Sequence, residues 1–190
     1  MAEGLLRKLL ADAGIDATIG SAGLMPGGMP ATPDAVATMA ERGIDIGAHR
    51  SRTLDADLAR TTTLVVGMTR THVREACTRY GAPMGRTFTL KELVRRVEQA
   101  GARAPHESFT GWLDRVGFGR QPAALMGDDP LDDVADPVGR PRAVYEDTAD
   151  ELADLLARLV GLLVGGPVAP VAYADPTCAS PSVQTTPGSP

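Results

Sequence analysis

Three short stretches of this sequence hold residue types that can do chemistry. Ser21-Ala22-Gly23 stands where a predicted strand over residues 17–21 runs into a glycine-rich loop over 23–29. Ligands of open α/β sheets bind at the carboxyl ends of strands, so Ser21 is a candidate; a plain strand-to-loop turn is the competing reading. His49-Arg50-Ser51-Arg52 sets an imidazole beside two guanidiniums. That combination suits an anion, although close arginines are commonly solvated or surface-paired. Asp136-Pro137 closes an acidic run made of Asp128, Asp129, Asp132, Asp133 and Asp136. Proline restricts the backbone of the residue before it, which is how a general acid must be held. A solvated acidic loop is the alternative. The run also reads DDxxD twice, the pattern of helical acids that hold Mg2+ for pyrophosphate. Pro130 and Pro137 oppose a helix there, and neither a metal nor a cofactor is expected.

The two cysteines look inert. Cys77 falls on the apolar stripe of a predicted helix, where cysteine behaves as a small hydrophobe. Cys178 lies in a stretch rich in Pro, Ser and Thr. A thiolate that attacks phosphorus needs C-x5-R, yet Pro83 and Gln184 stand six residues after the two cysteines.

The elements that must position these residues alternate. Residues 1–13 carry a leucine stripe (Leu5, Leu6, Leu9, Leu10) stopped by Gly14. Thr32-Pro33-Asp34 has the N-cap, the proline and the acid of a helix start, with Val36, Met39 and Ala40 as its apolar face and Gly43 as its end. Residues 63–68, TLVVGM, read as a parallel strand covered on both faces. Thr69 caps a helix with a Val73, Ala76, Cys77, Tyr80 stripe. A third strand over 86–90, a helix over 91–100 and another over 108–116 follow. A loop-like acidic stretch over 117–139 leads to a long helix over 141–164. The order implies an α/β fold with three parallel strands. Its first element is a helix with no strand to cross over from.

Composition narrows the rest. The chain has 190 residues, 43% hydrophobic but only 4% aromatic, so its core is expected to be mostly Leu, Val, Ala and Met. A net charge of −5 argues against nucleic-acid binding. Two cysteines make no disulfide framework, which fits a cytoplasmic protein. The longest apolar stretch, near 155–164, is broken by Arg158 and falls short of the ~18–20 residues of a membrane span. Residues 1–164 read as one domain and 165–190 as a disordered tail.

Taken in order, the pieces resemble the low-molecular-weight protein-tyrosine phosphatase family. The resemblance rests on Met-Ala-Glu-Gly-Leu-Leu at 1–6, on Ser21-Ala22-Gly23, and on Thr32-Pro33 through Gly43-Ile44-Asp45. It continues with His49-Arg50-Ser51-Arg52, Val65-Val66-Gly67-Met68-Thr69 and Asp133-Val134-Ala135-Asp136-Pro137. It implies a small parallel sheet flanked by helices. It also implies a cysteine nucleophile in a C-x5-R-S loop directly before the first helix, where free N–H groups and the helix dipole lower a thiol pKa. Asp136 then matches the general acid and base, and Ser21 and His49 match polar support around the loop. The resemblance leaves the first central strand, the nucleophile and the loop arginine without counterparts. A chain that begins late and is inactive by itself is therefore expected. The implied partner is a phosphorylated protein or a small phosphomonoester. Where the family often places aromatics around a phosphotyrosine ring, Leu24, Met25, Val138 and Gly139 stand, which forgoes stacking of about 0.5–1.5 kcal/mol per ring pair. A non-catalytic relative that binds a partner is the main alternative. An arsenate reductase, which would need further redox cysteines, is a weaker one.

Overall fold

A computed structural model describes residues 1–165 of the chain. The tail expected over 165–190 lies, apart from Gly165, outside the described residues. Among the described residues, seven α-helices and two strands order as α1 (Ala2–Asp12), α2 (Pro33–Ala40), α3 (Ala56–Thr61), β1 (Val65–Gly67), α4 (Arg70–Thr78), β2 (Thr87–Thr89), α5 (Leu90–Ala100), α6 (Phe109–Gly117) and α7 (Arg142–Val164). The fold is α/β with a small parallel sheet and flanking helices.

β1 and β2 pair in parallel, with Val65 opposite Thr87, Val66 opposite Phe88 and Gly67 opposite Thr89. Successive strand residues face opposite sides, and β1 obeys this. Leu64, Val66 and Met68 pack on the main core, whereas Val65 packs on a small cluster of Ala59, Ala76 and Ala82 under α3 and α4. The main core joins Leu5, Leu9 and Leu10 of α1, Met39, Phe88, Leu93 and Val97, and Leu152, Leu156 and Val160 of α7. Trp112 is fully buried there and donates its indole N–H to the Gly101 carbonyl at 3.1 Å.

Helix starts follow side-chain chemistry. Thr32, Thr69 and Thr89 each accept a backbone N–H from the first turn of the helix that they begin. Such a cap is worth about 1 kcal/mol. The buried face of α2 is turned slightly from the one expected. Ala35, Thr38 and Met39 are buried, Val36 is half-buried, and Ala40 is exposed.

Residues 17–21 correct the expectation. They form no strand, and the sheet has two strands rather than three. A strand exists by its ladder, and these residues make none: the Ile19 carbonyl is taken by the Arg7 guanidinium instead. Gly23 alone makes an isolated parallel bridge, to Thr53. The six-residue helix α3, capped by Asp55, was not anticipated. The acidic stretch is not simply solvated loop either: it holds a 3-10 turn at Pro122–Leu125 and buries Leu125, Asp132 and Val134.

Leu9→Ala empties a fully enclosed site between α1 and α7 and is expected to cost about 2–5 kcal/mol. Leu6→Ala, at a half-buried position, should cost clearly less. Urea midpoints of the two variants at unchanged m-value check the difference.

Candidate functional site

The first turn of α1 gathers the residues singled out by the sequence. Glu3 pairs with Arg7 one turn on at 2.8 Å, the favourable Glu-to-Arg order on a helix. The Ser21 hydroxyl donates to the other oxygen of the Glu3 carboxylate, and His49 Nδ1 lies 4.0 Å from that oxygen. Burial pushes the Glu3 carboxyl up. Hydrogen bonds from Ser21 and Arg7, with the charges of Arg7 and His49, outweigh it, so its pKa lies below the ordinary range.

Backbone geometry makes the convergence possible. A Cβ on Gly4 would come within 2.9 Å of Ile44 Cγ2 and 3.3 Å of Ile46 Cγ2, so the glycine lets α1 sit against the segment that leads to His49. The His49 N–H then donates to the Ile46 carbonyl at 3.0 Å. The glycine-rich loop is laced to the stretch after His49. Met29 N–H donates to Ser51 Oγ at 3.0 Å, and Gly27 N–H to Thr53 Oγ1 at 2.9 Å. A Cβ on Gly27 would meet the Ser51 carbonyl at 2.9 Å, which accounts for the glycine. Ser51 thus serves the loop. Arg50 and Arg52 are exposed and make no ion pair among the described residues. No side chain among the described residues caps α1, whose first-turn N–H groups have no partner within the helix.

The acidic run is organised by arginines. Arg70, the first residue of α4, donates through Nε to Asp132 at 2.5 Å and through Nη2 to Asp129 at 2.9 Å. Its backbone N–H reaches Asp133 at 2.7 Å. Arg95 of α5 closes on the other oxygen of Asp132 and donates to the Leu131 carbonyl. Asp132 is 3% exposed. Desolvation raises its pKa, but hydrogen bonds from Arg95 and Arg70 and their charges prevail and hold it below the usual carboxylate range. Asp129 and Asp132 are engaged by guanidiniums and Asp133 by a backbone N–H, and none of them lies on a helix as the DDxxD pattern would require.

Asp136 lies just beyond this clamp. Val134 is buried and donates its N–H to the Met68 carbonyl at 2.8 Å, tying the loop to the carboxyl end of β1. Asp136 itself is exposed, and its Oδ1 accepts the Val138 N–H at 3.0 Å across Pro137. Ser21 and His49 are therefore brought together on Glu3, while Asp136 stands on a separate loop with no hydrogen bond or ion pair to either among the described residues. Glu3 and Arg70 escaped the sequence reading, although each had a signal. Glu3 and Arg7 are spaced for a helical pair. An arginine at a helix N-terminus opposes the dipole and so calls for acidic partners.

Cys77 is half-buried, with Sγ 3.9 Å from Met84 Sδ. Burial raises its thiol pKa against a Thr87 hydrogen bond and the Arg120 charge, which disfavours the thiolate. Cys178 lies outside the described residues. Among the described residues no group of His, Cys, Asp and Glu could hold a metal, and no helix is long and apolar enough to cross a membrane.

Comparison with known proteins gives a consistent result. The model of the family described as low molecular weight phosphotyrosine protein phosphatase matches residues 1–108. A probable low molecular weight protein-tyrosine-phosphatase, EpsP of Ralstonia solanacearum, is 37% identical over 94 residues. That alignment takes in 49% of this chain and 62% of the relative, so the chain spans less than two thirds of it. The low molecular weight protein tyrosine phosphatase of T. tengcongensis superposes with a TM-score of 0.61 at 30% identity, over 84% of this chain and 86% of its own. The YwlE arginine phosphatase of Geobacillus stearothermophilus does so with a TM-score of 0.57 at 27% identity, over 83% and 79%.

The lowered carboxyls of Asp132 and Glu3 have the same consequence for acid stability. Their contribution is complete above the unfolded carboxylate pKa of about 4 and is lost as the pH falls through the lower folded value. The urea midpoint is expected to stay flat from about pH 7 to 5 and to drop below about pH 4. Asp132→Asn should cost about 2–3 kcal/mol at neutral pH, less than the loss of a fully buried partner because Arg95 is half-exposed, and should flatten the acid drop. A variant with the wild-type acid slope would show that the clamp does not form.

Proposed function

The chain belongs to the low molecular weight phosphotyrosine protein phosphatase family, and from that premise we propose that its fold serves phosphomonoester chemistry that runs through a phosphocysteine. In this reading Asp136 protonates the leaving oxygen and then acts as base toward the hydrolytic water. Ser21 and His49 support the phosphate-binding loop from below, through Glu3. The observation that carries the reading is the convergence of Ser21 and His49 on the first turn of α1. That turn is where an eleven-residue helix presents uncapped N–H groups and the positive end of its dipole. Fixed donors of this kind stabilise the charge of a transferring phosphoryl group.

The nucleophile is neither of the chain's own cysteines. Cys77 lacks an arginine six residues on and its burial disfavours the thiolate, and Cys178 likewise lacks the arginine. We therefore expect residues 1–164 to act as a phosphatase-like unit that does not turn over substrate by itself. The natural ligand is a phosphorylated protein or a small phosphomonoester. Met25 and Val138 are 77% and 63% exposed and aliphatic. They offer a phosphorylated side chain apolar cover without ring stacking, which weakens the case for phosphotyrosine over other phosphorylated residues. A non-catalytic role, in which the same surface holds a phosphorylated partner, is favoured by the same thiol chemistry. Arsenate reduction would need redox cysteines that half-buried Cys77 is poorly placed to supply.

The purified 190-residue chain is expected to hydrolyse p-nitrophenyl phosphate no faster than buffer. Hydrolysis that survives Asp136→Asn together with Cys77→Ser and Cys178→Ser would contradict the mechanism. Isothermal titration with inorganic phosphate and with phosphotyrosine and phosphoarginine peptides separates the two roles. Micromolar binding without turnover supports the binding role, and no heat with any of them counts against it.

A further inference from the structure

We propose that Arg70 is the positioning residue of the acid loop: one guanidinium and one backbone N–H hold residues 129–133 so that Asp136 is presented at the carboxyl end of β1. The functional meaning of that placement rests on the reading of Asp136 as proton donor. Arg70 makes four bonds to the loop and to the turn before it. Nε meets Asp132 at 2.5 Å, Nη2 meets Asp129 at 2.9 Å, Nη1 meets the Met126 carbonyl at 3.4 Å, and the backbone N–H meets Asp133 at 2.7 Å. Each of the three acids is caught from the same residue, and that residue begins the helix directly after β1.

The geometry is transmitted along a short chain. Asp133 is followed by Val134, which is buried in the core and bonded to Met68, the residue just past β1. Asp136 comes two residues later. Its carboxylate is turned by the Val138 N–H, so its direction depends on the backbone that the clamp sets. From the α5 side, Arg95 and Lys91 bond the Leu131 and Pro130 carbonyls, and Lys91 is also paired with Glu151. These contacts support the middle of the loop. Among the described residues, only Arg70 bonds the side chains on both flanks of that middle, Asp129 and Asp133, to the start of α4. Arg74 offers a natural contrast. It bonds the Leu125 and Gly127 carbonyls at 2.8 and 2.7 Å and pairs with Asp128 at 3.7 Å, and so grips the chain upstream of Asp129. A lysine could not reproduce Arg70, because a single ammonium lacks the fork that spans two carboxylates.

The test is nuclear magnetic resonance on the full chain, read at the Val138 amide, whose N–H reports the Asp136 carboxylate that it bonds. In the wild type and in Arg74→Ala, the Val138 amide shift should follow the titration of Asp136, and its hydrogen exchange should be slowed. In Arg70→Ala, exchange at Val138 and at Val134 should quicken at least tenfold and the titration amplitude at Val138 should shrink, while amides of β1 and α5 stay protected. Arg70→Lys should recover only part of the protection. An Arg70→Ala variant with wild-type titration and exchange at Val138 would overturn the proposal. If Arg70→Ala loses protection throughout, Asp129→Asn and Asp132→Asn each remove one partner more mildly, and wild-type behaviour at Val138 in both would overturn it. The readout needs no turnover. A well-held Asp136 that never donates a proton would therefore sink the functional reading alone.

Discussion

A buried carboxylate between two guanidiniums governs where the acidic loop can go. Asp132 gives one oxygen to Arg70 and the other to Arg95, and almost none of it meets solvent. Taking a carboxylate out of water costs several kcal/mol, and the paired charges recover that only with good geometry. The net stabilisation is thus modest. What the arrangement supplies is uniqueness: any displacement of the loop leaves a buried charge without its partner. Because Arg70 follows β1 directly and Arg95 lies on α5, the loop is registered to the sheet and to its neighbouring helix at once.

The other half of the site depends on packing. α1 is anchored by Leu5 and Leu9 against α7, and Gly4 lets its first turn approach Ile44 and Ile46. With the helix held there, Glu3 is the point where two loops distant in sequence meet, one through Ser21 and one through His49. The two halves use the same chemistry in different settings. Glu3 and Asp132 are carboxylates kept ionised by donors that outweigh their desolvation. One joins loops around an open helix terminus, and the other closes a loop that carries an exposed acid. The family's structural relatives share this overall arrangement of helices and sheet.

Much of this was legible where local chemistry decides structure. The run TLVVGM announced β1, Thr32-Pro33 announced α2, and Thr69 announced α4, since a continuous apolar stretch and a hydroxyl cap act over a few residues. Residues 17–21 misled for the opposite reason. Their pattern suits a strand, but a strand needs a neighbour's backbone, and no local pattern supplies one. The helix α3 is too short for periodicity to reveal. The acidic run shows in the sequence only as a loop with a candidate acid at Asp136, because its partners, Arg70 and Arg95, lie about sixty and forty residues away in sequence. The pairing of Ser21 with His49 was hidden similarly, since it passes through Glu3. The convergence of these residues is a tertiary fact, written in the sequence only as an arginine placed against a helix dipole and a glutamate one turn from an arginine.

The Arg70–Asp132 contact is expected to be an energetic coupling and not an incidental surface pair. A double-mutant cycle on the full chain, with Arg70→Ala, Asp132→Ala and the double variant compared by urea denaturation at neutral pH, measures it directly. The account predicts a coupling of about 1–3 kcal/mol, with the double variant less destabilised than the sum of the singles. Additive losses, with a coupling indistinguishable from zero, would contradict it.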